Sequence, residues 1–247
     1  MFEYHNAVAV VTGASSGIGR QLATDLVARG AHVVGVARRV DEMATLSEAR
    51  ACDLNDLKAW VALLRDVEAS HGRIDVLVNG AGVERRKGIG EVAWDDVEDT
   101  LTVNFGAAAR AMVLVVPGML ARGHGAVLNI SSDHGRAPGP GTPAYGASKA
   151  ALSAFTESVA HEVAGTGVHV HVLYPGWVPT PLSQTAIDTG MPTPPKCVQR
   201  TAAGVSRLAL DTVGKPGIEI NAARVAVLAP VVRALAPPLY RRSMRGR

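Results

Sequence analysis

The stretch that most narrows the possible folds is residues 7–30. Ala7 to Val11 is an unbroken apolar run, the pattern of a strand buried on both faces of a parallel sheet. It leads into Thr12-Gly13-Ala14-Ser15-Ser16-Gly17-Ile18-Gly19, after which Leu22, Leu26 and Val27 keep helical spacing until Gly30. Strand, glycine-rich turn and helix in this order is how a chain cradles a pyrophosphate. The glycines let the backbone approach the ligand, and the helix N-terminus offers free N–H groups and the positive end of its dipole. A tight connection with no ligand is the plainer reading, and the flanking context argues against it.

The same alternation continues along the chain. A second strand, Ala31 to Ala37, ends in Arg38-Arg39. An acid about 20 residues beyond such a turn holds the ribose hydroxyls of NAD, whereas an arginine there receives a 2′-phosphate, so Arg38 favours NADP over NAD. Solvated surface charge is the alternative for both arginines. Residues Arg50 to Asp53 read as a short third strand that puts Asp53 at the adenine edge of the site, unless Asp53 merely caps the next helix before Asn55. Ile74 to Val78 is the fourth strand, followed by Asn79-Gly80-Ala81-Gly82, small residues that leave room for something flat against the backbone. Trp94 to Arg122 is mostly helical and carries Asn104 among apolar neighbours, where a buried amide is either a structural staple or a holder of ordered water. Gly125 to Ile130 is the fifth strand, with Ser131-Ser132-Asp133-His134 at its carboxyl end, the ligand end of a doubly wound sheet.

The chemistry is expected at Tyr145 and Lys149. Leu152, Phe155, Val159 and Val163 extend a helical pattern through both, so the two are one turn apart on one helix to about Ala164. A free phenol titrates near ~10, and a lysine cation close by favours the phenolate, which makes the pair a tunable acid and base. Such a pair also arises by chance on surface helices, and the rest of the chain has to support it.

With 247 residues, 47% of them hydrophobic, the chain can bury a substantial core and fits one α/β domain, 1–247. A net charge of +3 from dispersed basic residues implies no nucleic acid partner. Cys52 and Cys197 lie far apart without a metal-ligand spacing, and His169 and His171 form a surface pair on a strand without a third ligand, so no metal site is expected and a reducing compartment is. No signal segment opens the chain and no apolar run is read as reaching the ~18 residues of a membrane span, so the expectation is a cytoplasmic protein.

Assembled, these pieces resemble the short-chain dehydrogenase/reductase family over nearly the first 180 residues. The motifs in family order are Thr12-Gly13-xxx-Gly17-x-Gly19, Asp53, Asn79-Gly80-Ala81-Gly82, Asn104, Ser132, Tyr145-xxx-Lys149 and Pro175-Gly176. One departure is Gly80, where the family often has a second asparagine. The resemblance implies a doubly wound parallel sheet in three α/β/α layers, with NADP as coenzyme and a small-molecule carbonyl or alcohol substrate. It implies that Tyr145 exchanges a proton with the substrate oxygen, that Ser132 holds that oxygen, that Lys149 lowers the tyrosine pKa and holds the nicotinamide ribose, and that Asn104 binds a water linking Lys149 to solvent. Implied coenzyme contacts are Gly13, Ser15, Ser16, Gly17, Ile18, Gly19, Arg38, Arg39, Asp53, Leu54, Asn79, Gly80, Ala81, Tyr145, Lys149, Pro175, Gly176, Val178 and Thr180. Residues 181–200 are expected to form the substrate lid, with Glu84, Asp133, His134 and the 138–142 loop contributing to substrate choice. A dinucleotide-binding sensor without turnover is the non-enzyme alternative.

The C-terminal segment, 217–247, departs most from the family. Gly217 to Asn221 reads as a last strand, Ala223 to Ala236 as an apolar helix, and the remainder as a basic tail. One reading is an interfacial helix on an anionic membrane surface. The preferred one is a helix packed on its own domain or on a partner subunit of a dimer or tetramer, with a frayed tail.

Overall fold

A computed structural model describes residues 2–191, 193–223 and 228–245. Seven parallel strands form one sheet in the order β3-β2-β1-β4-β5-β6-β7: Val8–Thr12 (β1), His32–Ala37 (β2), Glu48–Ala51 (β3), Val76–Asn79 (β4), Gly125–Ile130 (β5), Val168–Tyr174 (β6) and Glu219–Asn221 (β7). Every residue of β1, β4 and β5 is buried, because helices cover both faces of the sheet. On one face Leu22, Ala23 and Leu26 of α1 (Gly17–Ala28) join Val205, Ala209 and Leu210 of α8 (Ala202–Thr212) against Val11 and Val33. On the other, Trp60 and Leu64 of α2 (Leu57–His71), Ala111 and Met112 of α4 (Ala107–Arg122) and Leu152 of α6 (Pro143–Glu162) pack on Val10, Leu77 and Val127. The strand order reverses between β1 and β4. There the carboxyl ends of the strands diverge and leave a crevice.

Local chemistry explains where these elements begin and end. Asp56 caps α2 by accepting from Lys58 N and Ala59 N at 3.0 and 2.9 Å, and Gly72, at φ 75°, ends it. Asp75, buried beside Arg73, accepts from Val8 N at 2.9 Å and fixes where β1 starts against β4. The third strand ends at Ala51 rather than Asp53. It is an edge strand with alternating exposure and so lacks the apolar run that marked the others.

Three further expectations are corrected. The helical run Trp94–Arg122 comprises α3 (Trp94–Leu101), a π-helical turn (Thr102–Gly106) and α4; by length and composition it is apolar enough to span a membrane, but Ala107, Ala111, Val115 and Met119 are buried against the sheet and its other helices. His171 is buried inside β6 beside the half-buried His169, with rings stacked 6.5 Å apart, and is not on a surface. The C-terminal stretch, expected as one helix and a frayed tail, holds two helices, α9 (Leu228–Leu235) and α10 (Pro237–Arg245); Arg224 to Val227, Gly246 and Arg247 lie outside the described residues. Pro237 stands at the first position of α10, where the missing N–H has no partner to lose. Residues 181–200, expected as a lid, hold α7 (Pro181–Asp188), which starts on a Thr180 cap, and Arg200 N donates to Trp177 O at 2.8 Å. Short α5 (Asp133–Arg136) completes the fold.

Candidate active site

The crevice between β1 and β4 opens into a cleft of about 1280 Å³. Its floor is the glycine turn. Gly13 has φ 71°, and a Cβ there would lie 2.8 Å from Ala81 N; one on Gly19 would lie 2.5 Å from Gly13 O. The turn is therefore packed backbone to backbone, and Thr12 Oγ1 ties it to the next strand end by accepting from Gly80 N (3.0 Å) and Ala81 N (3.2 Å). The departure at Gly80 belongs to this packing, since a Cβ would stand 2.8 Å from Thr12 O. At the start of α1, Ser16 is extended and makes no side-chain cap bond, so the first helical N–H groups face the cleft without a cap from it. Anionic oxygens fit such a terminus.

Nearly all the expected contact residues line this one cleft: Gly13, Ser15 to Gly19, Arg38, Arg39, Asp53, Leu54, Gly80, Ala81, Ser132, Tyr145, Lys149, Pro175, Gly176, Val178 and Thr180. Arg38 and Arg39 are exposed at its rim and take no part in the ion pairs among the described residues. Asp53 is not the helix cap, a role that falls to Asp56. It accepts from Asn55 N at 3.0 Å and faces the cleft.

Asn79 and Asn104 stand apart. Asn79 is buried and donates to Asn129 Oδ1 at 2.7 Å, its register partner on β5, while Asn129 donates to Thr156 Oγ1 of α6 at 2.8 Å. Its side chain joins sheet to helix and does not line the cleft. Asn104, in the π-helical turn, accepts from Val83 N (2.8 Å) and donates to Val83 O (2.9 Å) and Ser148 Oγ (2.9 Å). These side-chain bonds hold the segment that leads from Gly82 past Lys149.

Tyr145, Lys149 and Ser132 converge at the inner end. Ser131 is turned away, sharing a 2.7 Å hydrogen bond with Ser153 and donating to Lys149 O, whereas Ser132, whose Oγ accepts from His134 N at 3.2 Å, lines the cleft beside Tyr145. The electrostatics differ from the sequence expectation. Lys149 Nζ donates to Ile130 O at 2.8 Å and lies 5.9 Å from the Tyr145 ring centroid; burial pulls its pKa from 10.5 to about 8. Burial pushes the phenol above its ordinary range, Ser132 opposes this, and the Glu84 and Asp133 carboxylates add to it. Lys149 therefore does not acidify Tyr145 in this arrangement. The phenol is desolvated, near two carboxylates, and the ammonium donates to the Ile130 carbonyl.

Sequence reasoning named Glu84, Asp133 and His134 but missed Arg86. Its guanidinium stands 3.4 Å from Glu84, and both line the cleft. The signal was the charge run Glu84-Arg85-Arg86-Lys87 directly after the small residues. Burial raises the pKa of Glu84 against the pull of Arg86, and burial likewise raises Asp133, whose Oδ1 has no hydrogen-bond partner.

Residues 7–189 match the family model described as short chain dehydrogenase. The chain belongs to the short-chain dehydrogenase family. It is 33% identical to the 3-oxoacyl-acyl-carrier-protein reductase FabG of Vibrio harveyi over 90% of both chains. It is 39% identical to the glycine betaine reductase of Emericella nidulans over 73% of this chain, a match that spans only 15% of that much longer protein. Among solved structures, a short-chain dehydrogenase from Streptomyces avermitilis superposes with TM-score 0.81 at 31% identity over 98% of each chain. A metagenomic short-chain oxidoreductase in complex with NADP gives 0.74 at 29% identity, over 89% of this chain and 96% of the other. The short-chain dehydrogenase fold accounts for the sheet order, the crevice and the placing of Tyr145 and Lys149 on one helix.

Proposed function

We propose that this short-chain dehydrogenase is an NADP(H)-dependent oxidoreductase that interconverts a carbonyl and a secondary alcohol, with Tyr145 as the proton-exchanging group. The observation that carries the reading is the convergence of Ser132, Tyr145 and Lys149 in one cleft whose outer rim presents Arg38 and Arg39. The glycine cradle and the uncapped start of α1 fit a pyrophosphate, and the paired arginines fit a 2′-phosphate, in keeping with the NADP-bound relative. NAD, lacking that phosphate, is the weaker fit. Bound in the cleft, the nicotinamide supplies or accepts the hydride.

The protein's own residues supply position and the proton. Ser132 Oγ orients the substrate oxygen toward Tyr145 Oη. In reduction the phenol gives its proton to that oxygen as the alcohol forms; in oxidation it takes the proton back. Tyr145 is protonated at neutral pH, the state from which it gives a proton in reduction, and the NADP preference leans the chain toward that direction. Lys149, beside Gly82 and within the same pocket, holds the ribose, and Asn104 keeps the wall of that pocket in place. Residues 181–200 serve as the lid, with Glu84 and Asp133 facing the substrate. The test is NADPH oxidation with a panel of ketones, aldehydes and quinones, repeated with Tyr145→Phe. Turnover on at least one carbonyl, reduced about 100-fold or more in the variant, is expected; equal turnover by both proteins refutes the role of Tyr145.

A further inference from the structure

The C-terminal helices carry features that neither the cleft nor the core uses. Hydrogen bonds from Ala236 N to Val232 O (2.8 Å) and from Tyr240 N to Ala236 O (3.1 Å) carry the helical register across the junction of α9 and α10. At about 100° per residue, Leu228, Val231, Leu235 and Leu239 fall within roughly 80° of arc. They are 59%, 48%, 82% and 62% exposed, an apolar stripe facing solvent. The opposite side is the docked one. Arg233 Nη1 donates to Arg136 O at 2.8 Å and Tyr240 Oη to Pro138 O at 3.0 Å, which fixes the helices to the body with the leucines outward. An apolar face of this kind stays outward only if something covers it or it functions exposed.

The charge pattern says what covers it. Residues 223–247 contain six arginines (224, 233, 241, 242, 245 and 247) and no aspartate or glutamate, while the whole chain has 25 Lys and Arg against 22 Asp and Glu. The preceding 222 residues are thus net acidic, with 19 against 22, and the basic excess sits with the apolar stripe. A second copy packed on this face by a two-fold axis would bring one arginine-rich segment against another. An anionic lipid surface satisfies both features at once, since it buries the leucines among acyl chains and pairs the arginines with headgroups.

We propose that α9 and α10 dock this protein on an anionic bilayer surface, with Leu228, Val231, Leu235 and Leu239 inserted and the exposed Arg241 and Arg242 at the headgroups. The helices are bound to the loop at Pro138, whose neighbours Gly139 to Gly141 line the cleft, so docking sets the mouth of the cleft near the lipid.

The experiment is flotation of the full chain with vesicles of phosphatidylcholine, with and without phosphatidylglycerol, beside light scattering in free solution. Two exposed-residue variants are compared: Leu235→Asp with Leu239→Asp, and Arg241→Glu with Arg242→Glu. We expect binding only to the anionic vesicles, at least tenfold loss in the leucine variant, about 30-fold or greater loss in the arginine variant, and weakening with salt. Failure of the full chain to float overturns the proposal, as does binding that both variants retain. So does a chain that binds no vesicle but is a dimer the leucine variant splits, which assigns the stripe to an interface between copies. Circular dichroism and thermal melting of each variant confirm that it is folded. None of these readouts depends on turnover, so they stand apart from the fate of the catalytic reading.

Discussion

Lys149 is an ammonium held in a place that disfavours charge, and replacing it by methionine should make the protein more stable while removing its activity. The residue is 4% exposed, and burial lowers its pKa from 10.5 to about 8. At ~1.4 kcal/mol per pH unit, keeping it charged at pH 7 destabilises the fold by about 3 kcal/mol. Methionine has a similar unbranched stem and no charge. The substitution also removes the 2.8 Å bond to Ile130 O and leaves that carbonyl unpartnered, a loss of about 1 kcal/mol. The net gain near pH 7 is about 2 kcal/mol, or roughly 4–8 °C in Tm for a chain of this size. The sign with pH follows from proton counting. Between pH about 8 and 10.5 the unfolded chain keeps the lysine proton that the folded chain has released, so the wild type gains stability as pH rises through that window. The advantage of Lys149→Met should shrink across it and reverse near its top. Urea unfolding of both proteins from pH 6 to 10 measures this, and taking the difference between them cancels the titration of the other groups. A difference that does not change with pH, or a variant less stable than the wild type at pH 7, refutes the reasoning.

Other perturbations test other parts of the site. Arg38→Ala should weaken NADPH binding about 10- to 100-fold and NADH binding little, measured by coenzyme fluorescence titration; equal weakening shows that Arg38 does not read the phosphate. Asn104→Ala leaves both Val83 backbone groups without their partner, so it should lower stability by about 2–4 kcal/mol in chemical unfolding, and an unchanged midpoint contradicts the staple. In carbonyl reduction, kcat/KM for NADPH should be level at neutral pH and fall as pH rises past about 8, where Lys149 loses its charge; a profile level to pH 10 removes the ammonium from the mechanism.

What the sequence made legible, and what it did not, divides along a physical line. The glycine turn, the central strands and the helix of Tyr145 and Lys149 were readable because local pattern alone sets them: unbroken apolar runs, positive-φ glycine and helical spacing. Convergence of Arg38, Asp53, Ser132, Tyr145 and Thr180 on one cleft followed from the family resemblance, since they come from separate strand ends. The acidity of Tyr145 was not readable. It depends on burial depth, on two carboxylates more than ten residues away in sequence, and on the Ile130 carbonyl that claims Lys149. The inward turn of Asn79 depends on its register with Asn129, and the burial of His171 on what lies over β6. The stretch after Ala236, expected to fray, instead forms a helix that begins at Pro237, where a missing N–H costs nothing.

The central claim is that a carbonyl takes a hydride from the coenzyme while Tyr145 supplies the proton. The direct measurement uses NADPH deuterated at the transferring position of nicotinamide C4, with the most reactive carbonyl of the panel, and locates the label in the product. The account predicts deuterium on the carbinol carbon with the wild-type chain, and labelled alcohol formed about 100-fold or more slowly with Tyr145→Phe, which still binds NADPH. Solvent hydrogen at that carbon, or labelled alcohol formed by the variant at the wild-type rate, contradicts it.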